Sequence, residues 1–162
     1  MKLIVVAVSL FVISATALTV EAQQGVAKAA PAPELPLSLA LKAAQATLAA
    51  CADPTATVTV TDHEGVARVV LVGDAAGPVG IATSRRKAYS SAATGMTTSK
   101  LAEFFAEKHV NPALVDPELL ALPGGVPIVS HGVTIGALGV GGGPRDEPCA
   151  QAGIDSIKKD LQ

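Results

Sequence analysis

The chain has no tryptophan, one tyrosine and three phenylalanines among its 162 residues. Phe11 lies in the apolar N-terminal run, which leaves Tyr89, Phe104 and Phe105 as the aromatics of everything downstream. Base stacking needs aromatic platforms beside basic side chains, and here the rings are few, no basic block occurs and the net charge is −2. Nucleic acid is not an expected partner. Cysteine is as scarce, with only Cys51 and Cys149, far apart and without a C-x-x-C, so no zinc site is spelled out. Of the three histidines His63, His109 and His131, no two stand at helical i, i+4 spacing, which removes a helical metal motif. No nucleophile elbow and no reactive-cysteine signature occur, and Asp62 and Glu64 read as turn residues solvated by water. Nucleophilic hydrolysis has no support.

What the chain does have begins with an address. Met1-Lys2 is a minimal positive start, Leu3 to Val20 is almost unbroken apolar sequence, and Val20-Glu21-Ala22 offers a small-residue cleavage site before Gln23-Gln24. This pattern predicts a secretory signal peptide over residues 1–22, with Ala15-Thr16-Ala17 as the alternative site and a retained anchor as the alternative fate. The expected location is exported, periplasmic or secreted, with no membrane contact after cleavage. Residues 23–34, rich in Ala, Pro and Gln, read as a flexible leader. In an oxidising compartment Cys51 and Cys149 are either a disulfide closing nearly the whole domain or two buried small hydrophobes.

Residues 35–162 form one domain by length. Leu35 to Ala50 predicts a helix with Leu37, Leu41, Ala44 and Leu48 on one stripe. Thr57 to Asp62 alternates β-branched residues and pairs with Val66 to Val72 across a His63-Glu64-Gly65 turn. Ile81 to Thr94 predicts a second helix with a flat side at Ala88, Ser91, Ala92 and Gly95. A third starts at Thr97-Thr98-Ser99, capped by Thr98 or Ser99 and presenting Leu101, Phe104 and Phe105. Asn111 to Pro123 is an irregular connection with a helical turn expected at Pro117 to Ala121. The stretch GGVPIVSHGVTIGALGVGGG (124–143) predicts a second hairpin around Ser130-His131-Gly132. Asp146-Glu147-Pro148 then opens a last helix with acidic residues at its positive end and a stripe of Ala150, Ile154, Ile157 and Leu161. The order α-β-β-α-α-β-β-α, built from hairpins, predicts an α+β fold with an antiparallel sheet and helices packed on it.

Gly141-Gly142-Gly143 invites a phosphate-loop reading, which fails on residues. No Lys-Ser or Lys-Thr follows, and the frame from Gly139 meets Pro144 where a dinucleotide fingerprint needs glycine. Glycines inside a strand mark close approach of a neighbour, so Gly136 and Gly139 are expected beneath a helix, a subunit or a flat ligand. Arg85, Arg86 and Lys87 are consecutive and spread around their helix. Either they border a flat carboxylated ligand on the small-residue face, or they are a solvated face beside a packing seam.

Five segments carry a family resemblance over Leu35 to the C-terminus. They are Val58 to Gly65 (VTVTDHEG), Lys87-Ala88-Tyr89 with Ala92-Ala93, Gly124 to Ile128 (GGVPI), Ile135 to Val140 (IGALGV), and Asp146 to Ile154 (DEPCAQAGI). In this order they resemble the GlcG/HbpS family of heme-binding proteins, related to the C-terminal domain of PduO-type corrinoid proteins. The resemblance implies a profilin-like fold, a homo-oligomer, and heme or a related tetrapyrrole as cofactor and partner. Through it, Thr98 and its neighbours Thr94 and Thr97 are expected to face the cofactor, and with Arg85, Arg86 and Gly136, read above as ligand candidates, they make up the expected cofactor-binding residues. Thr98 becomes the candidate axial ligand, although a threonine oxygen is a weak one beside histidine. The family's Arg-Met-Asp segment is replaced here by Val72-Gly73-Asp74, and Val66 stands where its turn carries a second glycine. Expected functions are heme storage, transport or sensing, then slow heme breakdown or action on a small organic acid, then a ligand-free structural oligomer.

Overall fold

A computed structural model describes residues 34–162 of the chain, so the expected signal peptide and most of the leader lie outside the described residues. Helix α1 (Leu37–Cys51) opens after Pro36 and stops at Ala52 in the left-handed conformation (φ 49°). Strands β1 (Thr57–Asp62) and β2 (Ala67–Val72) follow, then helix α2 (Pro78–Thr94), whose Pro78 occupies a first-turn position that needs no N–H. Helix α3 (Thr98–Lys108) is capped by Thr97, one residue before the expected caps, because its hydroxyl accepts from the Lys100 N–H. The connecting helical turn is α4 (Pro112–Val115), not Pro117 to Ala121, since Asn111 caps it and Pro112 starts it. Strands β3 (Gly125–Ser130) and β4 (Val133–Gly141) flank His131-Gly132, both at positive φ as a two-residue hairpin turn demands. Helix α5 (Asp146–Ile157) and a 3₁₀ turn (Lys158–Leu161) end the chain. No described helix is long and apolar enough to cross a membrane.

The four strands form one antiparallel sheet in the order β2-β1-β4-β3, so the two hairpins join through β1 and β4. Helix α2 lies on one face; α1 and α5 cover the other. The TVTVT strand is therefore buried on both sides. Val58 and Val60 join Leu138, Val140 and Ile128 in the core against α1 and α5. Thr57, Thr59 and Thr61 point the other way and are equally buried. Thr59 Oγ1 lies 2.9 Å from Ser84 Oγ of α2, which satisfies both hydroxyls.

Glycine decides how close the layers come. A Cβ on Gly139 would stand 2.2 Å from Ser84 O and 2.4 Å from Ala88 N, so the α2 backbone rests directly on β4. The flat side of α2 is a helix–sheet seam. On the opposite layer a Cβ on Gly153 would meet Thr47 Oγ1 at 1.8 Å, so α1 and α5 also touch nearly backbone to backbone. This close seam explains a departure from the expected leucine stripe of α1. Ala40, Ala43, Ala44 and Thr47 are buried, whereas Leu37 and Leu41 are 55% and 41% exposed. A contact this tight has room for methyl groups and hydroxyls but not for isobutyl side chains.

Candidate functional site

The polar groups of the domain converge where α2, α3 and α5 meet the start of β3. Lys87 and Asp146 form an ion pair of 2.6 Å, with side-chain exposures of 6% and 10%. The second Asp146 oxygen accepts from the Gly143 N–H at 3.0 Å. Next to it, Glu147 accepts from Ser99 Oγ at 2.6 Å and from the Gly124 N–H at 3.1 Å. Thr98 Oγ1 donates to Leu122 O and accepts from the Gly125 N–H at 2.8 Å. The acidic pair that opens α5 thus holds one side chain from α2, one from α3 and the backbone at Gly124. Gly124 itself is at φ 128°, and a Cβ there would meet Lys87 Nζ at 2.9 Å.

The outer side of α2 holds the connection after α4. Arg86 donates to the carbonyls of Pro117, Glu118 and Leu119 at 2.8–3.2 Å, and Arg85 pairs with the Glu118 carboxylate. Ser90 Oγ accepts from the Leu120 N–H at 2.7 Å. Tyr89 donates to Asp116 Oδ2 at 2.6 Å, and its ring supports the β1–β2 turn at Gly65. Around Tyr89 a second apolar cluster gathers Leu101, Phe105 and Leu119. The Tyr89 hydroxyl, followed by the Glu118 N–H, holds the Asp116 carboxyl below its ordinary range, and the same bond pushes the Tyr89 phenol up. A carboxyl with a depressed folded pKa adds stability that is present above the unfolded value and is lost as pH falls through the folded one. In Tyr89→Phe the Asp116 carboxyl returns toward the ordinary range. An NMR pH titration of Asp116 that does not move upward refutes this assignment.

The expected site residues are not one constellation. Arg86 serves the 117–119 backbone, Arg85 the Glu118 carboxylate, and Thr98, at 0% exposure, has its hydroxyl committed to two backbone groups. The expected axial ligand is a buried structural residue in this conformation. Thr97 caps α3, Thr94 Oγ1 donates to Ser90 O at 2.7 Å, and both remain partly exposed at the α2–α3 junction. Gly136 belongs to the other layer, where a Cβ would meet Thr61 O at 2.3 Å and Leu35 at 3.0 Å.

A groove that the sequence did not announce lies between β3 and α5, with a volume of about 470 Å³. Pro127, Val129 and His131 form one wall, and Ile154, Lys158 and Leu161 the other. Asp155 shares the rim with Lys158. Its size falls within the roughly 300–1,000 Å³ typical of small-molecule sites. The His131 side of the groove was legible only as a hairpin tip, and nothing in sequence ties it to a helix that follows far downstream.

An antiparallel sheet ordered 2-1-4-3, with one helix on one face and two on the other, makes this a profilin-like α+β domain. Residues 35–155 match the family model described as "Haem degrading protein HbpS-like", and the chain belongs to that family. It is similar to a double mutant of HbpS from Streptomyces reticuli, at 33% identity and TM-score 0.74, covering 88% of this chain and 98% of that one. The protein ORFY of Klebsiella pneumoniae has the same fold at 22% identity and TM-score 0.74, covering 81% and 95%. So does PduOC, solved as a heme complex, at 20% identity and TM-score 0.63, covering 77% and 96%. No curated protein matches the chain.

Proposed function

We propose that this chain is a heme-binding protein, exported and oligomeric, that stores, carries or senses tetrapyrrole. The observation that carries the reading is a family match spanning almost the whole described domain, to a family named for haem degradation. That description also favours a second reading, slow oxidative breakdown of the bound heme. Loss of the Soret band with reductant and oxygen, faster than for free heme, supports the second; an unchanged band under those conditions refutes it.

A tetrapyrrole asks for an apolar slot, a donor for its iron and a cation for its carboxylates. At the α2–α3 junction the arginines are engaged and Thr98 is closed off, which leaves Thr94 and Thr97 as accessible oxygens. The β3–α5 groove offers apolar walls in Val129, Ile154 and Leu161, the imidazole of His131 and the ammonium of Lys158. The groove fits better. His131 would hold the iron and Lys158 a carboxylate. The bound heme would supply the ligand-binding and redox chemistry.

Hemin titration of the purified protein tests this directly. The wild-type protein shifts the Soret band, and His131→Ala weakens binding by at least about tenfold. Thr97→Val leaves it unchanged. If Thr97→Val loses binding and His131→Ala does not, the site lies at the α2–α3 junction. If the wild-type protein shifts nothing, the heme reading falls.

The oligomer is supported by apolar side chains left outside. Val70 and Val72 of β2, with Val79 and Ile81 at the start of α2, are exposed on the side of the sheet that α2 leaves partly uncovered. Export is supported by the N-terminal apolar run, and N-terminal sequencing of the processed protein should begin at Gln23.

A further inference from the structure

We propose that Cys51 and Cys149 are a disulfide-forming pair, oxidised by an external disulfide, that ties the last residue of α1 to the first turn of α5. Both thiols are buried, yet both line one small cavity of about 160 Å³. Asp53, Arg145 and Asp146 complete its wall, and exposed Pro144 and Arg145 place it next to solvent. Cys149 lies near enough to Cys51 to raise its thiol further, after burial itself. The backbones are already fixed, because Arg145 Nη2 donates to Cys51 O at 3.2 Å and Ala52 terminates α1. A disulfide joining them would link two backbone segments that are already held together. No other described cysteine competes for either partner.

The roles of the two thiols differ. Burial, then the Cys149 contact, pushes the Cys51 thiol far up, so Cys51 stays protonated and does not start the exchange. Cys149 sits in the opening turn of α5, beside the exposed Pro144 and Arg145 that border the cavity. Its thiolate attacks one sulfur of the external disulfide, forming a mixed disulfide and releasing one thiolate. That thiolate takes the Cys51 proton as the Cys51 sulfur attacks the mixed bond at Cys149, expelling the second half as a thiolate that picks up the proton Cys149 gave to solvent. Two protein thiols are oxidised, and one external disulfide is reduced to two thiols.

The cross-link spans nearly the whole domain, so it restricts the unfolded chain strongly. Oxidation should raise the melting temperature by roughly 10 °C. The test incubates the purified protein in glutathione buffers of graded redox poise. Thiols are counted after denaturation, intact mass is measured, and melting is followed in parallel. The expected result is loss of both thiols together, a monomer lighter by two hydrogens, and the rise in melting temperature. A Cys51→Ser/Cys149→Ser double variant should show no redox dependence. Two thiols persisting under oxidised glutathione, or recovery only of glutathione adducts, overturns the proposal. These readouts on the wild-type chain stand even if the double variant fails to fold.

Discussion

Asp146→Ala lowers the melting temperature by roughly 10–20 °C, the largest effect expected of any single charge removal in the described domain. The Lys87–Asp146 pair is almost fully withdrawn from water, at 6% and 10% side-chain exposure. A buried pair is not in itself strong evidence of stability, because desolvation offsets most of the attraction. Breaking one is different, since the ammonium of Lys87 would remain in a site lined by the Gly124 and Val140 backbone. Removing one partner of such a pair costs about 3–5 kcal/mol. The Gly143 N–H loses its acceptor as well, and α5 loses an acidic residue from its first turn. Lys87→Met should be milder, because the Asp146 carboxylate keeps the Gly143 N–H and the positive end of the helix. A Lys87→Met/Asp146→Leu double variant should recover much of what Asp146→Ala loses. Thermal denaturation followed by circular dichroism checks all three. A melting temperature within about 2 °C of wild type for Asp146→Ala would show that water reaches Lys87 after all.

Lys87 also shows where sequence reading reached its limit. It follows two arginines, and three consecutive cations read as a solvated face or as partners for a ligand. In the fold one is buried against a carboxylate 59 positions away, one holds the backbone of 117–119 and one pairs with the Glu118 carboxylate. Nothing local marks those partners. The elements themselves were legible because their signals are local. The TVTVT run and its turn gave the first hairpin, His131-Gly132 the second, and Asp146-Glu147-Pro148 the start of α5. Ala44 and Leu48 of the α1 stripe face the core, but Leu37 and Leu41 do not, for a physical reason. Periodicity scores hydrophobicity, whereas the α1–α5 seam selects small volume, so alanines and Thr47 went inside and two leucines outside. The family segments gave the fold and the family. They do not bring the expected residues together, since Thr98 and Gly136, quoted together from sequence, lie on different layers of the sheet, and the candidate groove joins β3 to a helix that only tertiary packing brings there.

Gly139→Ala should destabilise the domain by about 3 kcal/mol or more, and Gly139→Val should prevent its folding. The added Cβ would lie 2.2 Å from Ser84 O, 2.4 Å from Ala88 N and 3.0 Å from Ala88 Cα, all backbone atoms of α2. A flexible side chain could swing aside; a helix backbone cannot move alone. Lifting α2 would stretch the Thr59–Ser84 contact and pull on Lys87, whose own carbonyl stands 2.5 Å from where a Gly125 Cβ would be. The strain therefore reaches the Asp146 clamp and is not confined to one contact. Gly132→Ala is the matched control. Gly132 has no atom within 4 Å of its missing Cβ, and its φ of 80° makes the cost purely conformational. About 1 kcal/mol is expected there. Urea denaturation of the two alanine variants separates the effects. Equal losses would mean that backbone conformation alone explains the glycines of β4. A loss at least about twice as large at Gly139 identifies close approach of α2 as the reason a strand in the middle of the sheet carries glycine there.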